Sequence, residues 1–195
     1  MSTTKNTESV RVVLRCRPLQ SQEIQDQRTS IVKVNHIRSE VSIANPKAQT
    51  SEGPKAFFFN DVFNSETSQK DIYDQVAFPL VDSVLHGYNG TILAYGQPGA
   101  GKTYTMQGNI NFKESKGIIP RAFEQIFNSI ESTPDKQFLV QVSFFEIYNE
   151  EVHDLLAQDP RNKLRVHENQ VQDPMSKTYF QFRSKMLLMP IKNSL

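Results

Sequence analysis

The residues best suited to chemistry run Gly96-Gln97-Pro98-Gly99-Ala100-Gly101-Lys102-Thr103, which fits the pattern G-x-x-x-x-G-K-[ST]. Each residue type in that pattern has a physical task. Successive backbone N–H groups curl around an anionic phosphate, and glycines such as Gly99 and Gly101 let the backbone approach without a Cβ in the way. Lys102 supplies a mobile positive charge for β- and γ-phosphates, and the Thr103 hydroxyl can enter the coordination shell of Mg²⁺. A helix beginning near Lys102 would point its positive dipole end at the same group.

Such a loop needs a strand before it and a helix after it. Thr91-Ile92-Leu93-Ala94-Tyr95 is a short apolar run with β-branched residues, and it predicts a buried strand feeding the loop. Lys102 to Met106 predicts the start of the helix.

The bulk properties bound the function. The chain has 195 residues, enough for one domain or two small ones with a substantial core. Its net charge of +1 gives no electrostatic reason to expect nucleic acid or an anionic membrane as partner. A single cysteine, Cys16, excludes an internal disulfide and suits a reducing compartment. No apolar stretch reaches membrane-spanning length, and the polar start, residues 1–8, reads as a flexible terminus of a cytosolic protein.

Taken in order, Ser9 to Pro18 predicts a strand ending at proline, with Arg15 and Arg17 on one face beside the Pro18 ring. Two readings stand for that face. It is either an edge strand with solvated arginines or, by stacking, one wall of a purine pocket. Ile31 to Val34 and Glu40 to Ile43 alternate with period two and predict a hairpin. Lys55 to Phe63 predicts one continuous strand. Thr67 or Ser68 can cap a helix with Ile72, Val76, Leu80 and Val84 as its buried stripe, either kinked or ended in its first half by Pro79 and stopped by Gly87 after His86.

Beyond the glycine loop, Met106 to Gly117 reads as a surface loop and Gly117 to Ile130 as a helix with Phe123, Ile126, Phe127 and Ile130 on one face. Phe138 to Tyr148 predicts a long strand, and Asn149 to Leu156 a helix with Val152, Leu155 and Leu156 at helical spacing. Glu150 and Glu151 then open that helix. Reading them as a catalytic carboxylate pair is opposed by adjacent helix positions facing apart. Leu164 to Glu168 predicts a short strand, and no structure is assigned from Gln170 onward.

Several of these stretches together resemble the kinesin motor domain. They are Val12 to Pro18 with its Arg-x-Arg-Pro ending; Pro79 to Leu85 followed by Gly87-Tyr88-Asn89-Gly90-Thr91; Tyr95 to Met106; Gly117 to Arg121; Phe145 to Leu156; and Leu164 to Asn169. The resemblance implies an α/β fold of the P-loop NTPase type, three layers α/β/α around a mixed central sheet. It implies ATP and Mg²⁺ as cofactors and hydrolysis coupled to movement along microtubules, with a cytoplasmic, cytoskeletal location. Gly96, Gln97, Pro98, Gly99, Ala100, Gly101, Lys102 and Thr103 would hold phosphates, Thr103 the metal, and Arg15 and Pro18 the adenine. Tyr104 stands where the family often has an aromatic or His near the base.

Two departures from the family pattern stand out. Pro98 replaces the usual Thr and removes one backbone donor. No Asp in the chain is followed by x-x-Gly, and no Ser-Ser-Arg occurs, so the switch segments that sense the γ-phosphate and position water are expected to be absent, as are the main microtubule-binding helices. The organisation expected is residues 1–8 as a flexible terminus, 9–169 as the N-terminal portion of a motor domain, and 170–195 as a divergent tail, a truncated fold with no catalytic residue identifiable. A nucleotide-binding chain without motor work is the alternative. A third reading is a different P-loop ATPase with Glu146 as the acidic metal partner.

Overall fold

A computed structural model describes residues 10–46, 53–159 and 163–164 and, by backbone alone, 168–169, 179–180 and 187–188. The chain divides into two compact units, Met1–Glu131 and Ser132–Leu195.

In the first unit, β1 (Val13–Arg15) pairs in parallel with β5 (Asp61–Phe63), in the register Val13↔Asp61, Leu14↔Val62, Arg15↔Phe63. Between them in sequence lie the short helix α1 (Ser21–Gln25) and an antiparallel meander of β2 (Val32–Asn35), β3 (Glu40–Ile43) and β4 (Lys55–Phe58). The hairpin predicted from the alternation of β2 and β3 is present, with Val34 opposite Val41. The single strand predicted over Lys55 to Phe63 is instead two strands in two sheets. The break falls at Phe59 and Asn60, where the Asn60 side chain accepts a 2.7 Å bond from the Val12 N–H and turns the chain into the β1 ladder.

One continuous helix follows, formed by α2 (Gln69–Ile72), a π-helical turn (Tyr73–Ala77) and α3 (Phe78–Leu85). Ser68 caps it by accepting from the Asp71 N–H, and His86 then Gly87 at φ +97° end it. Pro79 has no N–H to offer the Gln75 carbonyl four residues earlier. Arg11, from the segment entering β1, donates to that carbonyl through Nη1 at 2.9 Å and also clamps Asp61 through Nε and Nη2. The wider π turn shifts the helix phase by one residue. The buried face is therefore Ile72, Tyr73, Ala77 and Val81, and Val84 of the predicted stripe is exposed.

Tyr73, Ala77 and Ile118 form one buried cluster of this unit, with Ile92, Met106 and Ala122 packed against them. Full burial of an isoleucine such as Ile118 contributes about 1.5–3 kcal/mol, and an alanine methyl such as Ala77 about 0.8 kcal/mol. Met106 ends α4 (Lys102–Met106), and Ile118 begins α5 (Ile118–Glu131). The link between these helices contains a 3₁₀ turn (Lys113–Ser115) and a bridge from Gly108 to Lys116. Arg121 holds that link by donating to the carbonyls of Lys116, Lys113 and Glu114.

The predicted strand Thr91 to Tyr95 is not formed. An extended segment becomes a strand only when a neighbour completes its ladder, and no ladder partner flanks this one among the described residues. Leu93 is 85% and Tyr95 95% exposed as a result.

In the second unit, the long strand predicted from Phe138 is reduced to β6 (Gln141–Val142) and β7 (Phe145–Tyr148). The helix predicted over Asn149 to Leu156 is replaced by β8 (Glu151–Asp154), paired antiparallel with β7 and in turn with β9 (Lys163–Leu164). Asn149 and Glu150 both take positive φ, 49° and 63°, as a two-residue type I′ hairpin turn requires. Burial in β8 then follows period two, with Val152 and Asp154 inside. Of the strand predicted at Leu164 to Glu168, residues 165–167 lie outside the described residues. Three further two-residue strands, β10 (Glu168–Asn169), β11 (Tyr179–Phe180) and β12 (Leu187–Leu188), pair as β10 with β11 and β12 with β6.

Candidate nucleotide site

The glycine loop enters α4 through left-handed backbone. Gly99 and Gly101 adopt φ of +77° and +95°, in the left-handed region, and Gly101 caps the N-terminus of α4. Their missing side chains leave open space, since a Cβ on Gly99 would come no nearer than 3.9 Å to the Gln20 amide, and one on Gly101 no nearer than 4.0 Å to Arg17 Cβ. The fold itself does not crowd these positions, so the requirement is conformational. Such a cradle, with a lysine and a threonine at its helix end, fits a triphosphate and its metal.

Lys102 is held within the loop, its Nζ donating to the carbonyls of Gly96 and Gln97 at 2.9 Å each. Pro98 is exposed, and the turn across it closes by the Ala100 N–H donating to the Gln97 carbonyl at 3.1 Å. The donor that Pro98 lacks is thus not one the loop uses to close. Thr103 is exposed on the first turn of α4.

Beside the loop lies a cleft of about 680 Å³, bordered by Gly99, Ala100 and Gly101, the stretch Arg15 to Ser21, residues 65–69, Tyr104, Thr105 and Glu114. The structure therefore brings Arg15, Pro18 and Tyr104 together with the later half of the glycine loop. Gly96, Gln97, Pro98, Lys102 and Thr103 belong to the loop and helix and do not border the cleft.

The two arginines of the Arg-x-Arg-Pro stretch are built in differently. Arg15 is half-buried; its Nη1 donates to Gln69 Oε1 at 2.7 Å and to Thr105 Oγ1 at 2.9 Å, and its guanidinium lies over the Tyr104 ring, 5.2 Å from the centroid. Burial lowers its pKa, offset in part by the Tyr104 phenol. Arg17 instead makes a bidentate pair with Glu23 at 2.7 and 2.8 Å and donates to the Pro18 carbonyl at 2.8 Å. Hydrogen bonding to Arg17, first, and to the Gln20 N–H lowers the Glu23 carboxyl to about 2. Glu23 thereby locks the turn that carries the Pro18 ring.

Gln69, Glu23, Gln20 and Thr105 were not singled out by the sequence. Their types are ordinary, and only the fold assembles them. Glu150 forms the β7–β8 turn and Glu151 bonds Lys163 across the strands at 2.5 Å, which accounts for both without catalysis. Glu146 sits in β7, opposite His153, in the second unit. Among the described residues no group of three or more His, Cys, Asp or Glu side chains is placed to hold a metal ion, and no helix is long and apolar enough to cross a membrane.

The profile of the kinesin motor domain matches residues 15–182, and with this match the chain belongs to the kinesin motor domain family. Its fold is accordingly of the P-loop NTPase-type α/β class, mixing helices and strands. Among individual proteins it is similar to the kinesin-like protein KIF3C of Bos taurus, Pongo abelii and Mus musculus, 45% identical in each case over 168 residues, or 86% of this chain. It spans 21% of the length of those relatives.

Proposed function

We propose that this chain binds ATP with Mg²⁺, the loop Gly96 to Thr103 taking the phosphates, Thr103 joining the metal shell, and Arg15, Pro18 and Tyr104 bordering the adenine. One observation carries the reading. A left-handed glycine cradle with open Cβ positions shares a cleft with an Arg-Pro wall and an aromatic ring. Lys102, now bonded to two loop carbonyls, is placed to exchange those bonds for phosphate oxygens, a charge-assisted and stronger interaction. Bound Mg²⁺-ATP supplies the phosphoanhydride bond whose hydrolysis powers the family's motors.

The full reading is a three-layer α/β/α motor fold, with residues 9–169 as its N-terminal portion and 170–195 as a tail. Hydrolysis, movement along microtubules and a cytoplasmic, microtubule-associated location are proposed for the whole protein. Binding is the step these residues themselves support. The absence of any Asp-x-x-Gly sequence within the 195 residues favours a second reading, in which this chain by itself holds nucleotide without turning it over.

Equilibrium titration of the purified chain with a fluorescent ATP analogue, with and without EDTA, tests the site. Lys102→Ala is expected to weaken binding at least about tenfold, the loss of one charge-assisted contact, and Thr103→Ala to blunt the Mg²⁺ dependence. Unchanged affinity in Lys102→Ala would overturn the assignment. A microtubule-stimulated ATPase assay on the same chain separates the two readings, since Lys102-dependent turnover would exclude the second.

A further inference from the structure

Gln69 is 5% exposed, a polar side chain taken almost wholly out of water at the head of α2. A buried primary amide is tolerated when its donors and acceptor are all used. Here they are, and by three different elements. Gln69 Oε1 accepts from Arg15 Nη1 at 2.7 Å, and Nε2 donates to the Tyr104 carbonyl at 2.6 Å and the Ser115 carbonyl at 3.3 Å. Arg15 closes the circuit, since the same Nη1 bonds Thr105 Oγ1 and the guanidinium covers the Tyr104 ring.

We infer that Gln69 is a positioning residue for recognition of the purine base. The inference rests on the nucleotide reading of the cleft and deepens it. Arg15 has a long, flexible side chain, and an unanchored guanidinium would lose rotamer freedom on ordering against a ligand. Gln69 fixes it beforehand. The same amide fixes the backbone at Tyr104, directly after Thr103, so one side chain sets both the aromatic ring and the arginine beside it. Its contact to Ser115 ties the pair to the link that carries Glu114, another residue of the cleft wall. Preorganisation of this kind favours a ligand with a base over one that offers only phosphates.

The test uses the full chain and two probes, Mg²⁺-ATP and Mg²⁺-tripolyphosphate, titrated calorimetrically. Gln69→Met keeps the volume and removes the hydrogen bonds. It is expected to weaken ATP about tenfold, equivalent to about 1.4 kcal/mol, while tripolyphosphate changes less than about twofold. A second readout needs no ligand. Amide hydrogen exchange in Gln69→Met should rise at Tyr104 to Gly108 and Lys113 to Gly117, and stay unchanged in the hairpin of β2 and β3. Equal losses for both probes, or no loss for ATP, would overturn the inference while leaving the nucleotide site standing. Failure of the unaltered chain to bind either probe would overturn the nucleotide reading and this inference with it.

Discussion

Two pairs of glycines within residues 99–117 differ in what surrounds them. At Gly99 and Gly101 an added Cβ would meet nothing closer than 3.9 Å, so the fold leaves that space open. At Gly108 an added Cβ would stand 2.1 Å from the Ser115 carbonyl oxygen and 2.4 Å from the Gly117 nitrogen, and at Gly117 one would stand 2.6 Å from the Met106 carbonyl. There the chain closes on itself, with the Gly117 N–H bonded to the Gln107 carbonyl at 3.0 Å and the Asn109 N–H to the Ser115 carbonyl at 2.8 Å. One pair leaves its Cβ positions open. The other lets two backbone strands touch, so that α4 and α5 are held by a closed link.

The sharpest way to break this distinction is substitution at both places. Gly108→Ala is expected to have the largest effect, destabilising the fold by about 3 kcal/mol or more because backbone atoms must move and φ at +68° is strained for alanine. Thermal unfolding checks it, and Gly117→Ala should follow the same direction. Gly99→Ala should cost only about 1–2 kcal/mol of stability, from its positive φ alone, yet reduce ATP affinity by at least about tenfold, read by titration. Comparable unfolding losses at Gly99 and Gly108 would end the contrast.

Two titrations extend the contrast to side chains. Glu23, half-buried against the turn that carries Pro18, has its carboxyl lowered to about 2 by Arg17. The stability it contributes is therefore present above about pH 4.5, the unperturbed value, and lost as pH falls towards 2. The denaturation midpoints of the unaltered chain and Glu23→Gln should differ slightly at pH 7 and converge near pH 2. Tyr73, buried in the core with its hydroxyl bonded to Gln125 Oε1 at 2.5 Å, has its pKa raised to about 12, chiefly by burial. The neutral phenol is favoured by folding, so its contribution holds below about pH 10 and fades as pH rises through 12. In a spectrophotometric titration, Tyr73→Phe should lack the latest tyrosine component. This is the smallest effect, about 1 kcal/mol for the lost hydrogen bond.

What could be read from sequence tracks how local the cause is. The helix cap expected at Thr67 or Ser68, the Gly87 stop and the hairpin of β2 and β3 are each specified within a few residues, and the structure contains all three, the cap falling to Ser68. Gln69 carries no local signal, since its partners lie 54, 35 and 46 residues away. The spacing of Val152, Leu155 and Leu156 suggested a helix, but the left-handed pair Asn149 and Glu150 made a hairpin, burying Val152 with Asp154 and leaving both leucines exposed. The stripe on the helix of residues 69–85 was displaced by a π turn that no residue type announces. Thr91 to Tyr95 has strand-like composition, yet a ladder requires a neighbour, and composition carries no information about one.

Pro79 leaves the helix one rung short at Gln75, and Arg11, 64 residues earlier, supplies a donor there. A defect in a local element has become a reason for two distant parts of the chain to form together. The helix gains that bond only once the segment before β1 has arrived, and a helix already wound adds its Gln75 carbonyl to the Asp61 contact that holds Arg11. Their order is thereby made cooperative, and loss of either should loosen the other. Restoring the missing N–H with Pro79→Ala would make the helix more self-sufficient and the N-terminal segment less firmly recruited. An imperfection in one element thus serves as an adhesive between two.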